Sequence, residues 1–228
     1  MTVHWVPATR SVVVALLGMT AAVRLLSAVG AQGQSAPATG PSSKPANLVY
    51  NGDFERADAA GRLPDGWTSE HPPNVRLVDD AEGHGQVVEM AGDQKLMASY
   101  GVDLLSGQIP VKPEMRYRCT GYTRSTGPRM KVFVRGYATI THRVHGEVKV
   151  FDDAVYTMRK DIAASEDWQP FNLDFAIRPA EVVRDQPHEI KYVRIKLWAF
   201  WPAGTCWFDG VRFEEVGPRS PENPPASN

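Results

Sequence analysis

Apolar and polar side chains alternate along most of the chain between residues 47 and 216. The alternation is longest in four segments, Arg116–Arg124, Met130–Thr141, Phe171–Ile177 and Tyr192–Phe200. Successive side chains of a strand point to opposite faces of a sheet, so each segment buries one face and presents the other. Shorter strands are predicted at Asn74–Val78, Gln86–Ala91, Met97–Leu104, Gly146–Phe151, Tyr156–Asp161 and Cys206–Glu215.

Glycine and proline separate the predicted strands, as at Pro64–Gly66, Gly83–Gly85 and Pro202–Gly204. About ten short strands with turns between them predict an all-β fold, an antiparallel β-sandwich or jelly roll. Residues 147–165 are the exception, because their pattern also allows a helical turn.

The first thirty-one residues differ from the rest and predict a signal peptide. Arg10 precedes the apolar run Ser11–Val23, and the small side chains of Val29-Gly30-Ala31 suit cleavage after Ala31. An uncleaved membrane anchor is the alternative. No second long apolar run follows, so no membrane span is expected after cleavage, and the chain is expected to be secreted, periplasmic or on the cell surface.

Residues 32–46 and 217–228 are rich in Ser, Pro, Gly and Ala and contain no bulky apolar side chain. Such segments bury too little surface to offset the entropy of ordering, so they predict a flexible linker and a disordered tail. The region between them, 47–216, is long enough for one domain with its own core.

Net charge and cysteine content restrict the partners. The formal net charge of −1 gives no reason to expect a nucleic-acid partner. The two cysteines, Cys119 and Cys206, are able to form one disulfide in an exported chain, and the sequence leaves open whether they pair.

Motifs at the two ends of the domain resemble a known family. The domain opens on Asn47-Leu48-Val49-Tyr50-Asn51-Gly52-Asp53-Phe54-Glu55, continues with Pro64-Asp65-Gly66-Trp67 and closes on Trp207-Phe208-Asp209-Gly210-Val211. This pattern resembles the carbohydrate-binding modules of families four, nine and twenty-two, which are galactose-binding-like β-sandwiches. The resemblance implies a structural calcium ion, held by the side chains of Glu55 and Asp209 with a backbone carbonyl near Asp53. It also implies a structural role for Trp67 in the core. The alternative for the acidic pair is a turn cap at Asp209 and a solvated Glu55.

Aromatic side chains on the polar phase of the long strands are the candidates for glycan contact, because flat rings bind the C–H faces of sugars. The predicted contact residues are Tyr122, Tyr137, Tyr192, Arg194 and Trp198. Residues 116–146 and 190–208 contain Arg and Lys but no Asp or Glu. If the strands share a sheet, the face suits an anionic glycan. The alternative is that these charges protect exposed strands from edge-to-edge pairing, or form ion pairs with acidic loops at Asp152-Asp153 and Glu166-Asp167.

No catalytic motif is present. His142, His145 and Glu147 form an H-x-x-H-x-E cluster, but strand alternation does not place the two histidines on one face. We therefore expect no enzyme but an exported, monomeric, non-catalytic protein that binds a polysaccharide or other glycan. The alternative function is a structural or protein-interaction β-sandwich at the cell surface.

Overall fold

A computed structural model describes residues 45–144, 147–183 and 186–219 of the chain. The predicted signal peptide, nearly all of the linker and most of the tail lie outside these residues, as does His145. The described residues belong to the compact unit Ser43–Asn228. Among them, no helix is long and apolar enough to cross a membrane.

Strands account for nearly all of the regular structure. In chain order the strands are β1 (Val75–Asp79), β2 (Gln86–Gly92), β3 (Val102–Leu105), β4 (Ile109–Pro110), β5 (Met115–Ser125), β6 (Arg129–Val144), β7 (Glu147–Ile162), β8 (Gln169–Ala176), β9 (Glu181–Val183), β10 (Gln186–His188), β11 (Tyr192–Phe200) and β12 (Gly204–Pro218). One short helix, α1 (Gln94–Ser99), and one 3₁₀ turn, Pro72–Asn74, complete the described elements.

Two antiparallel sheets carry the fold. Sheet 1 has the order β1-β2-β12-β5-β8, and sheet 2 has the order β3-β11-β6-β7, with β4 also paired to β11. The strands β9 and β10 form a separate hairpin. The apolar phases of both sheets are buried, with Tyr117, Phe208 and Phe213 from sheet 1 and Val134 and Leu197 from sheet 2. The predicted all-β sandwich is confirmed.

The residues of the opening motif form a turn that lies beside β12. The Asn51 side chain donates to the Arg56 and Asp65 carbonyls at 2.8 and 3.0 Å. Phe54 is fully buried and meets the edge of Trp67 at 5.3 Å, which confirms the core position expected for Trp67. The entering chain runs beside β12, because the Leu48 N–H donates to the Phe213 carbonyl at 2.7 Å.

The prediction of one strand over Met97–Leu104 is wrong for the first half of that segment. Helix α1 occupies Gln94–Ser99, and only the second half belongs to β3. Asp93 caps the helix by accepting from the Leu96 N–H at 2.8 Å. Gly101, with φ of 69°, ends it and donates to the Leu96 carbonyl.

Residues 147–162, predicted as two strands with room for a helical turn, form the single strand β7. It pairs with β6 along its whole length, from Val144↔Glu147 to Met130↔Ile162, and one register shift lies between Gly136 and Tyr137. The extra residue of this bulge shifts the alternation of β7, so the sequence of the strand does not show one continuous pattern.

Cys119 and Cys206 do not form a disulfide and are free, buried thiols. They lie on the neighbouring strands β5 and β12, where Cys119 pairs with Phe213 and Cys206 with Ser125. The two positions are therefore about six residues apart along the ladder, or roughly 20 Å, far beyond the span of a disulfide. Burial raises the pKa of the Cys119 thiol to about 12.

Candidate functional site

The outer face of sheet 2 carries an aromatic and cationic surface along its two central strands. The alternate residues Val193, Ile195 and Leu197 of β11 are fully buried, so their neighbours point outward. We call this surface the β6–β11 strip and define it by the outward residues Lys131, Phe133, Arg135, Tyr137, Tyr192, Arg194, Lys196, Trp198 and Phe200. All nine are half-buried.

The register of β6 against β11 sets the order of side chains along the strip. Tyr192 pairs with Tyr137, Arg194 with Arg135, Lys196 with Phe133 and Trp198 with Lys131. At about 3.3 Å per residue, the distance along β11 from Tyr192 to Trp198 is about 20 Å. The strip is long enough for several sugar units in line.

A pair of stacked tyrosines forms one end of the strip. The rings of Tyr137 and Tyr192 lie 5.1 Å apart at an interplanar angle of 9°. The Tyr192 hydroxyl donates to Asp152 Oδ2 at 3.2 Å. Burial, followed by this hydrogen bond, raises the pKa of Tyr192, so the phenol stays protonated. The contact fixes the orientation of the pair.

A tryptophan and a phenylalanine form the other end. Trp198 stacks on Phe200 with centroids 4.6 Å apart, and its Nε1 donates to the Tyr100 carbonyl at 2.8 Å. The Lys131 ammonium lies 4.9 Å from the Phe200 ring centroid and 3.2 Å from Asp161. The indole is thus held by a neighbouring ring and by a backbone carbonyl.

Two arginines face each other between the aromatic ends. Arg194 Nε donates to the Ser106 carbonyl at 2.7 Å, and Arg135 lies 5.4 Å over the Phe133 ring. Lys196, in contrast, is paired with the buried Asp103 at 2.9 Å. Within the described part of the chain, neither Arg135 nor Arg194 makes a salt bridge with a carboxylate. Arg194 also donates from Nη2 to the Thr68 hydroxyl at 3.3 Å. The two guanidinium groups place positive charge at the middle of the strip, and like charges directly opposite each other destabilise a sheet.

The structure brings together four of the five predicted contact residues, Tyr137, Tyr192, Arg194 and Trp198, on one face. Tyr122 is the exception and a correction: it lies on β5, in sheet 1, paired with Asp209 of β12. A jelly roll distributes consecutive strands over both sheets, and the alternation of one strand does not reveal which sheet it joins. Sequence reasoning missed Phe200, although its phase, shared with Trp198, was the available signal.

The predicted calcium ligands are only partly assembled. The charge of Glu55 acts on Asp209, where burial raises the pKa of the carboxyl, and Glu55 adds to the rise. A hydrogen bond from His84 Nδ1 to Asp209 Oδ2, at 2.8 Å, opposes it. Asp53 is exposed. Two repelling carboxylates supply hard oxygen ligands that suit Ca²⁺, but the ion would have to displace His84 from Oδ2.

Among the described residues, no group of three or more His, Cys, Asp or Glu side chains is placed to hold a metal ion. Calcium binding by Glu55 and Asp209, with a contribution near Asp53, therefore stays a prediction. The H-x-x-H-x-E cluster falls partly outside the described chain; of its members, His142 pairs with Lys149 and Glu147 with Val144 in the β6–β7 ladder.

Comparisons with known proteins add structural neighbours but no family. No family model and no curated protein matches the chain. One similar structure is the enzymatically active domain of a tailspike protein from Bacteriophage CBA120, at 11% identity and a TM-score of 0.49. The match covers 75% of this chain but only 21% of the tailspike chain.

Two further structures match over nearly their whole length. A family 4 carbohydrate-binding module is 16% identical, with a TM-score of 0.45, over 73% of this chain and 99% of the module. A cyclase from Fischerella sp. TAU is 13% identical, with a TM-score of 0.48, over 75% of this chain and 98% of the cyclase. Modules of families 16, 22 and 61 are also among the matches. Carbohydrate-binding modules of the type that the sequence motifs resemble are thus among the structures similar to this chain, and at these values the likeness carries no argument about a site or an activity.

Proposed function

We propose that this chain is an exported, non-catalytic carbohydrate-binding protein that holds a glycan along the β6–β11 strip. The observation that carries the proposal is the order of side chains on that face. Two stacked tyrosines and a supported tryptophan lie at opposite ends, and between them lie two arginines that have no acidic partner among the described residues. The signal-like first thirty-one residues support action outside the cytoplasm.

Rings at both ends of the strip suit the C–H faces of sugars. Tyr192 is fixed by Asp152 and Trp198 by the Tyr100 carbonyl, so little side-chain entropy remains to be lost on binding. Aromatic surface with a few placed polar groups is typical of ligand sites. An extended oligosaccharide, rather than a single sugar, matches the length of about 20 Å.

The two arginines favour an anionic glycan. A guanidinium forks onto carboxylate or sulfate oxygens with two parallel hydrogen bonds, and such bonds are stronger than neutral ones. Arg135 and Arg194 are directly opposite each other in the ladder, so one acidic sugar is able to contact both. A neutral glycan would leave their repulsion unrelieved.

The test measures binding of the full chain to uronic-acid-containing and matched neutral oligosaccharides by calorimetry. Replacing Tyr192 by Ala should weaken binding by about 1–3 kcal/mol, the range for stacking on an aromatic side chain. Changing both Arg135 and Arg194 to Gln should weaken the anionic oligosaccharide alone and remove the salt dependence of its binding, because charge contacts are screened over about 8 Å at physiological ionic strength.

Arg116→Gln is the matched control, since Arg116 is exposed on β5 in the opposite sheet. It should leave both affinities unchanged. Equal losses in the strip variants and in the control would contradict a specific site, as would binding that survives in the folded Tyr192→Ala variant without change.

A second candidate function, a protein-interaction domain, is favoured by one observation. Where β6 and β7 extend beyond β11 they form a two-stranded arm, and Val148, Val150 and Phe151 on it are 58%, 63% and 43% exposed. By strand alternation Val148 and Val150 lie on one face of the arm and Phe151 on the other, and grouped exposed apolar side chains are typical of interaction sites. The strip offers a more complete set of contacts, so glycan binding is the function proposed.

A further inference from the structure

A depression of about 400 Å³ lies on the outer face of sheet 1, on the side of the sandwich opposite the β6–β11 strip. It is formed by β5, β8 and β12, and its lining includes Thr120, Tyr122, Pro170, Asn172, Gly210 and Arg212. The strip contributes none of these residues, so the two surfaces are separate.

The bulge in β12 forms the depression. The β12–β5 ladder shifts register between Asp209 and Arg212, and Gly210 at the bulge has φ of 58°. A side chain at Gly210 would meet the Tyr122 ring at 3.4 Å. The absence of a side chain there leaves one wall of the depression open beside the ring.

Tyr122 is held in place from one side. Its ring meets His84 edge-on at 5.6 Å, and His84 in turn stacks on Trp168 at 4.3 Å and bonds to Asp209 at 2.8 Å. The side chain nevertheless stays 45% exposed and lines the depression. An exposed ring with its orientation already fixed is suited to stacking on a ligand.

The polar groups around the ring carry little uncompensated charge. Arg212 is paired with Glu214 at 2.6 Å, and Arg118, the neighbour of the depression along β5, with Asp174 at 2.7 Å. The Asn172 amide donates to Asp174 Oδ2 at 3.0 Å, which leaves its carbonyl oxygen to accept. The Thr120 hydroxyl lies in the same cross-strand row as Asn172. These groups suit hydroxyls and give an anion no unpaired cation.

We infer that this depression is a second saccharide site, which binds a neutral sugar by stacking on Tyr122. It takes its ligand class from the glycan binding proposed above but uses no residue of the strip. Because the two sites face opposite sides of the sandwich, one molecule is able to hold two glycan chains at once, an acidic chain on one side and a neutral chain on the other.

The test is an NMR titration of the full chain that carries Tyr137→Ala and Tyr192→Ala, with cellohexaose, xylohexaose and mannohexaose as probes at millimolar concentration. At least one probe should shift the amide signals of Thr120, Tyr122 and Asn172. Adding Tyr122→Ala should weaken that probe by about 5- to 150-fold, while Tyr122→Phe, which keeps the ring, should not.

If Tyr122→Ala loosens the His84 contact and disturbs the fold, Asn172→Ala and Thr120→Val replace it, since both side chains are on the rim. Failure of all three probes to shift the β5 and β8 signals would overturn the inference. So would a probe whose affinity is unchanged in the folded Tyr122→Ala variant. If the native chain shows no glycan binding at the strip while the Tyr122 response is retained, the proposed main site is contradicted and the second site stands.

Discussion

At the scale of single residues, a row of stacked rings with one cation, Arg124, covers part of the outer face of sheet 1. Arg124 lies 4.5 Å from the Trp207 ring and 5.2 Å from that of Trp168, which stacks on His84. Arg124 is also bonded to Glu82 at 2.6 Å. This row of side chains places His84 against Asp209, at the position where the family resemblance implies calcium.

Calcium is predicted to stabilise the fold through Glu55 and Asp209. A ligand at 100 times its dissociation constant contributes about 2.7 kcal/mol, so chelation should lower the melting temperature measurably. The variant His84→Ala removes the competing partner of Asp209 Oδ2 and should enlarge the rise in melting temperature on adding Ca²⁺.

His71→Ala is the control, because His71 lies near Asp103 on the other sheet and not near the acidic pair. If neither the native chain nor His84→Ala responds to Ca²⁺ or chelator, and the purified protein holds no metal, the expectation is wrong. His84 is then the permanent partner of Asp209.

At the scale of elements, alternation predicted which phase of each strand is buried but not which strands are neighbours. Tyr137 and Trp198 point outward, as the alternation predicts, because the residues on either side of each in its strand are small or aliphatic and buried. Tyr122 was equally outward but joined the wrong group, since pairing of β5 with β12 and β8 depends on contacts distant in sequence. The bulge in β7 hid the continuity of that strand for a different reason, because the extra residue shifts its alternation.

Helix α1 carries local start and stop signals in its sequence. Asp93 is followed by a short apolar run and then by Gly101, the pattern of an N-cap and a terminating glycine. The run Met97–Leu104 also alternates, and a helix of six residues is too short to show a period of 3.6.

Asp93→Ala should lower the free energy of unfolding by about 0.5–2 kcal/mol, because the Leu96 N–H loses its acceptor. Asp93→Ser should recover most of the loss, since a serine hydroxyl also caps. Urea unfolding of the three proteins measures the difference. Equal stability of the Ala variant and the native chain would show that the cap contributes nothing.

At the scale of the whole molecule, sheet 2 offers two surfaces for contact: the strip, suited to glycan, and the β6–β7 arm, suited to apolar partners. Among the described residues, the two strands of the arm pair only with each other beyond Thr139, and a two-stranded ribbon is marginally stable alone. The arm is therefore the described part of sheet 2 with the most to gain from a partner.

The chain is predicted to be a monomer, and light scattering after gel filtration measures this directly. The mass of the monomer should be found at micromolar concentration, and replacing Val148, Val150 and Phe151 by Ser should not change it. A larger native mass that returns to the monomer in this variant would contradict the prediction and favour the interaction function.

The first residues of the domain lie beside β12, and this position determines how well the sandwich tolerates circular permutation. Leu48 donates to Phe213, and Arg212 reaches the Pro45 carbonyl at 3.3 Å, so the first described residues lie within a few residues of the last strand's end. A short glycine-rich bridge would join the two ends, and new ends opened at Ala163-Ala164, after β7 and before the Trp168 that supports Tyr122 through His84, would cut neither proposed site. Such a circular permutant, or the domain inserted whole into a host protein's surface loop, should keep both sheets intact.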